Sequence, residues 1–194
     1  MKIGVFGGTF NPVHWGHLVL AEAVRDQEAL SEVLFVPTAL PPHKPLGAML
    51  EIQHRLEMTR LAIQGVAGFE ISEIEAVPGR VSYSIDTLDQ LRQAYPEGAS
   101  LRFIVGADQL DEIETWKDYE RLLDEYGLYV AQRVESGRDE SWRRWGHCLQ
   151  VVHMPLIDVS STEIRNQVAQ GRSIRFLVPP AVEQYIQQTG LYRP

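Results

Sequence analysis

Apolar residues along this chain follow two rhythms. Short unbroken runs rich in β-branched and aromatic residues predict buried strands: KIGVF (2–6), EVLFVP (32–37), GFEIS (68–72), LRFIVGAD (101–108), GLYVAQR (127–133) and LQVVHMP (149–155). Between them, apolar positions recur every three or four residues. Leu18, Ala21 and Val24 mark a helix in HLVLAEAVRDQEAL. Leu50, Leu56, Leu61 and Ile63 mark one in LEIQHRLEMTRLAIQG, and Ile85, Leu88 and Leu91 one in YSIDTLDQLRQAYP. SSTEIRNQVAQG and PPAVEQYIQQTG predict two closing helices, each ending at a glycine suited to a C-terminal cap. Strands alternating with helices predict an α/β fold, a doubly wound, mostly parallel sheet with helices on both faces. No repeat or linker divides the chain, so residues 1–194 read as one domain. TALPPHKPLG is too rich in proline for regular structure, and RVESGRDESWRRWGH reads as a mobile or solvated insertion.

Such sheets bind ligands beyond the carboxyl ends of their strands. The first of those ends carries GGTFNPVHWGHL. Gly7 and Gly8 let the backbone turn sharply and let a ligand approach its N–H groups. Pro12 suits a helix start, and the first N–H groups of a helix favour an anion. His14 and His17, three residues apart, share one face of a helix, with Gly16 opening space between them. Three readings remain at this point: metal ligands, phosphate donors, or ordinary residues at a helix start. The spacing is neither G-x-G-x-x-G nor the lysine-containing phosphate loop, and no third zinc ligand of the H-E-x-x-H kind follows.

Other strand ends offer further chemistry. Ser160 with Glu163 three residues on is a capping-box pattern, and Arg165 one turn later can reach the same anion as the Ser161 and Thr162 hydroxyls. Lys44 and His43 lie on a loop stiffened by Pro41, Pro42 and Pro45. Gly106 permits close approach at the fourth strand end, and Asp108 can accept from a ribose hydroxyl or cap the next turn. Trp116 is either a half-buried core aromatic or a surface for stacking a ring. Asp86 reads as a cap or structural acid. Trp142 and Trp145 read as part of an amphipathic helix or a subunit contact.

Charge and cysteine content narrow the setting. The formal net charge is -8, against a surface coated for nucleic acid or anionic membrane, so an anionic ligand must be held by local groups. The single cysteine, Cys148, allows no intrachain disulfide and fits a reducing, cytoplasmic compartment. Nothing resembles a signal peptide, and no apolar run approaches the roughly 20 residues of a membrane span.

GGTFNPVHWGHL resembles the signature of the nucleotidylyltransferase superfamily, and its G-G-T-F variant resembles the bacterial nicotinate mononucleotide adenylyltransferases. PTALPPHK, SYSIDTL, FIVGAD with Trp116 beyond it, VSSTEIR and SIRFLVPPAVEQYIQQTGLY resemble further elements of that family in the same order. Asn11 stands where the family usually has Asp, and Ser84 where it usually has Thr. The resemblance implies a Rossmann-like nucleotidylyltransferase fold, with a helical part from about residue 158 to 194 completing an ATP site.

It also implies a reaction. The phosphate of nicotinate mononucleotide attacks the α-phosphorus of ATP, and pyrophosphate leaves without a covalent enzyme intermediate. A phosphate monoester is already a nucleophile, so the protein has to align two anions and neutralise charge on the leaving group. By the resemblance, His14, His17 and Arg165 are the catalytic groups. Gly7, Gly8, Thr9, Phe10 and Gly16 surround ATP from the first turn, Gly106 and Asp108 from the fourth strand, and Ser160, Ser161 and Thr162 from the closing part. Lys44, Tyr83, Ser84, Trp116 and Arg133 surround the mononucleotide, with Tyr83 and Ser84 offering helix-start N–H groups to its carboxylate. Mg²⁺ is expected, held mainly by ATP phosphates and water with no protein ligand set. The expected partners are ATP and nicotinate mononucleotide, with no nucleic acid and no membrane; self-association is left open. Competing readings are a superfamily member adenylylating phosphopantetheine, a nucleotide-binding regulator without turnover, and an RNA-binding module, the last disfavoured by the acidic balance.

Overall fold

The computed structural model describes residues 1–40, 49–77, 79, 81–133 and 140–193, with backbone only at residues 133, 140, 141 and 143. Six strands form one sheet: β1 (Lys2–Gly8), β2 (Glu32–Pro37), β3 (Phe69–Ile71), β4 (Ser100–Gly106), β5 (Leu128–Arg133) and β6 (Leu149–Met154). Their order is β3-β2-β1-β4-β5-β6, and every pair is parallel. Val5 of β1 lies opposite Leu34 of β2 on one side and Phe103 of β4 on the other. The strand order reverses between β1 and β4, so the turns leaving these two strands flank a crevice.

Side chains alternate across the strands, and each face gains its own core. Phe6, Val33, Phe35 and Ile104 pack on one face with Leu18 and Val24 of α1 (Trp15–Gln27), Met58 of α2 (Ile52–Ile63), Ile164 of α6 (Ser161–Ala169) and Val182 of α7 (Pro180–Thr189). Ile3, Val5, Leu34 and Phe103 pack on the other with Leu88 and Leu91 of α3 (Ser84–Ala94) and Leu122 of α5 (Tyr119–Glu125). The expected doubly wound α/β fold is therefore present, with helices on both faces.

Several local expectations are corrected. The fourth strand ends at Gly106, and Ala107–Leu110 form a short helix, α4, so Asp108 sits in a helical turn and not at a strand end. Pro12 is joined to Asn11 by a cis peptide three residues before α1 begins, so it is not the first helical residue. In the polar insertion, residues 134–139 lie outside the described residues. Residues Glu140–Trp145 make a 3-10 turn that buries Trp142 in the second core beside Cys148. The Trp142 indole N–H donates to Asp111 Oδ1 at 3.4 Å, so this part is anchored to the domain. Among the described residues, no helix is long and apolar enough to cross a membrane.

Candidate active site

The glycine turn is shaped from below by aromatic rings. A Cβ on Gly7 would lie 2.6 Å from the tip of the Phe103 ring, and one on Gly8 would lie 3.0 Å from the Phe10 ring. Both glycines thus serve packing inside the sheet as well as an open backbone above it. Phe10 is buried, and its ring meets Phe6 edge-on at 5.4 Å and His17 at 5.1 Å.

The two histidines follow at once. His14 is not helical: its extended backbone makes it the N-cap of α1, and its carbonyl accepts from the N–H of His17 and Leu18. They therefore do not lie side by side on one helical face. Their rings stack, with centroids 3.7 Å apart and planes 29° from parallel. The His14 backbone N–H donates to His17 Nδ1 at 3.2 Å. That bond assigns the His17 tautomer: Nδ1 accepts, so the neutral ring carries its proton on Nε2 and donates from there. Burial lowers the His14 pKa from 6.5 to about 4. Burial and the charge of His14 push His17 down as well. The pair is neutral and closely stacked, with His17 Nδ1 already engaged by a backbone N–H and the buried His14 Nδ1 without a partner, which suits donors to phosphate better than ligands spread around a metal. Gly16 explains itself here, since a Cβ on it would approach His14 Nδ1 to 3.0 Å.

The closing part of the chain braces this turn. The Ser161 hydroxyl donates to the Pro12 carbonyl at 2.8 Å, and Arg165 donates to the Asn11 carbonyl at 2.9 Å and to Thr162 Oγ1 at 3.1 Å. Tyr192 donates to Asn11 Oδ1 at 2.7 Å, and the Trp15 N–H to the Leu177 carbonyl at 3.2 Å. Ser160 is the N-cap of α6, its Oγ accepting from the Glu163 N–H at 3.1 Å, as the capping pattern predicts. Asn11 is buried and acts through a neutral side chain that accepts from a phenol.

A residue absent from the sequence-based candidates ties the turn to its surroundings. Arg55 of α2 is 1% exposed. Its guanidinium donates to the carbonyls of Thr9 and Thr38 at 2.7 Å, Leu50 at 3.0 Å and Ala39 at 3.3 Å. One side chain thus joins the glycine turn to both flanks of residues 41–48. Its burial lowers its pKa, though an arginine stays charged across the working range. Lys44 and His43 lie outside the described residues.

Beside the turn opens a cavity of about 830 Å³. Gly7 and Gly8 line it from the end of β1 and Thr9 from just beyond, Thr38 from beyond β2, Tyr83 and Ser84 from the start of α3, and Trp116 from beyond α4. Trp116 is half-buried and meets Phe103 edge to face at 5.9 Å, so it packs on the core, as the first alternative has it, while also lining the cavity. Tyr83 is the N-cap of α3. Gly106 makes room for Asp108, whose Oδ1 lies 2.5 Å from where a Cβ would stand. Arg133 ends β5 opposite Met154, with its side chain outside the described residues. Among the described residues, Asp124, His147 and Cys148 group as candidate metal ligands, but they sit by the amino ends of β5 and β6, away from the glycine turn.

The chain is similar to known proteins. The family model described as cytidylyltransferase-like matches residues 5–167. A probable nicotinate-nucleotide adenylyltransferase of Citrifermentans bemidjiense is 42% identical, covering 99% of this chain and 98% of its own. One of Moorella thermoacetica is 40% identical, covering 100% and 92%. The Plasmodium falciparum nicotinic acid mononucleotide adenylyltransferase complexed with NaAD is similar in structure, with a TM-score of 0.84 over 98% of this chain and 97% of that one. At 20% identity, that likeness speaks for the fold.

Proposed function

The chain belongs to the cytidylyltransferase-like family and, within it, to the nicotinate-nucleotide adenylyltransferases; on that premise we propose that it transfers the adenylyl group of ATP to nicotinate mononucleotide, giving the deamido dinucleotide and pyrophosphate in NAD biosynthesis. The observation that carries this reading is the neutral, stacked His14–His17 pair beside the Gly7–Gly8 turn, whose two glycines line a cavity of about 830 Å³.

The triphosphate lies over the glycine turn and the start of α1, where helix N–H groups favour an anion. His17 donates from Nε2, and His14 stands stacked against it to serve the same phosphates. Arg165, held by Asn11 and Thr162, brings a guanidinium to the leaving pyrophosphate. Ser160, Ser161 and Thr162 brace this side, and Asp108 and Gly106 meet the adenosine. Across the cavity the pyridine ring stacks on Trp116, with the Tyr83 and Ser84 N–H groups toward its carboxylate and Lys44 and Arg133 as cations for the mononucleotide. The mononucleotide phosphate attacks the α-phosphorus in line, and no base is needed because the nucleophile is already an anion.

Mg²⁺ belongs to this reading. Of the carboxylates lining the cavity, Glu75 is engaged by the Thr87 hydroxyl and Glu112 is exposed. Such a donor set fits an ion held chiefly through ATP phosphates and water, where it would offset charge on the triphosphate. The reading places the protein in the cytoplasm, with no nucleic acid or membrane partner.

The test is pyrophosphate release with ATP and Mg²⁺, comparing nicotinate mononucleotide, nicotinamide mononucleotide and phosphopantetheine. Strong preference for the nicotinate acid is the expected result. Preference for phosphopantetheine would move the acceptor to another branch of the superfamily. ATP binding without release on any acceptor would make the protein a nucleotide-binding regulator.

A further inference from the structure

Nicotinate and nicotinamide mononucleotide differ by one carboxylate against one amide, so a site that separates them gains most from a positive charge near that group. Among the described residues lining the cavity, Lys117 is the one cation, and Glu75 and Glu112 are the two carboxylates. Its Nζ sits 2.8 and 2.9 Å from the two oxygens of Asp86 and 5.0 Å from the centroid of the Tyr83 ring. Asp86 lies in the first turn of α3, two residues after Ser84. The ammonium therefore stands at the helix start that already favours an anion, directly after the ring-stacking candidate Trp116. An ammonium and helix-start N–H groups meet at one place from two different elements.

The Asp86 carboxylate on Lys117 shows what this position accepts: a carboxylate, both oxygens at once. The side chains of Lys117 and Asp86 are 40% and 35% exposed, and an ion pair so open to water is weak, so a change of partner costs little. Asp86 also holds Lys117 above its ordinary pKa, so the ammonium is charged throughout the neutral range.

We propose that Lys117 is a specificity-determining residue that leaves Asp86 to pair with the pyridine carboxylate of the acceptor, favouring the acid over the amide. This rests on the acceptor reading given above. Asp86 is then a resting partner that keeps the ammonium placed and competes with the substrate for it.

The test measures kcat and KM for nicotinate and nicotinamide mononucleotide in the full-length wild type, Lys117→Gln and Asp86→Asn. Both positions are exposed, and circular dichroism and melting temperature check that each variant is folded. Lys117→Gln is expected to raise the KM for the acid about tenfold, the scale of one charge-assisted hydrogen bond, with the amide KM within about twofold of wild type. Asp86→Asn is expected to lower the KM for the acid, because the competing carboxylate is gone. A Lys117→Gln enzyme whose acid-to-amide preference matches wild type overturns the proposal. An equal rise in KM for both acceptors also overturns it, since Lys117 would then serve the phosphate they share. A wild type that releases no pyrophosphate with either mononucleotide refutes the acceptor reading itself, a result distinct from both.

Discussion

The neutral histidines make stability depend on pH in a calculable way. His14 is 6% exposed, and its pKa falls from 6.5 to about 4 because burial disfavours the imidazolium. A fall from 6.5 to about 4 corresponds to about 3 kcal/mol. The unfolded chain takes up a proton at His14 as the pH falls through about 6.5, while the folded chain resists until about 4. The contribution is therefore fully present above pH 6.5 and lost as the pH falls toward 4. By pH 5 roughly 2 kcal/mol is gone relative to pH 7. Urea unfolding at both pH values, on wild type and on His14→Gln, isolates the effect, since the glutamine does not titrate. Carboxylate protonation weakens both proteins alike and cancels. Wild type should lose about 2 kcal/mol more than the variant on going from pH 7 to pH 5. Parallel losses in the two proteins would refute a buried, neutral His14.

Two further outcomes follow from packing around the glycine turn. Arg55→Met strands four carbonyls that one guanidinium now satisfies, and thermal melting should register a loss of about 3 kcal/mol or more, with Arg55→Lys recovering part of it. Gly7→Ala pushes a methyl against Phe103 and should cost about 1–3 kcal/mol; because Phe103 carries Trp116, the KM for the mononucleotide should rise too, and Phe103→Leu in the same chain should relieve the clash and recover part of the stability but not the KM.

Much of the architecture was legible because parallel strands covered on both faces read as unbroken apolar runs. Leu18, Ala21 and Val24 likewise mark the buried stripe of α1. The segments α4 and α5, of four and seven residues, are too short to show a helical stripe, so the start of α4 reads as the end of the strand LRFIVGAD and α5 is not marked in the sequence. His14 and His17 stood out by spacing, but their stacking depends on His14 being an N-cap, a backbone fact the spacing does not contain. Arg55 was hidden for a different reason. It reads as one more charged residue in EIQHRLEMT, and only the carbonyls of Thr9, Thr38, Ala39 and Leu50, from three separate stretches, decide that it is buried. The glycines were visible, but Phe103 beneath Gly7 comes from a strand about a hundred residues later and needs the β1–β4 register to be seen. Lys117 and Asp86 similarly meet only across α3 and the segment after Trp116.

The hydrogen bond from Tyr192 to Asn11 joins positions 181 residues apart. During synthesis the glycine turn leaves the ribosome well before Arg165 and Tyr192. A nascent chain therefore owns its glycine turn long before it owns the groups that hold that turn still. Maturation of the turn is timed by translation, and the late segment works as a latch that arrives only when the sheet and its other helices have already been made.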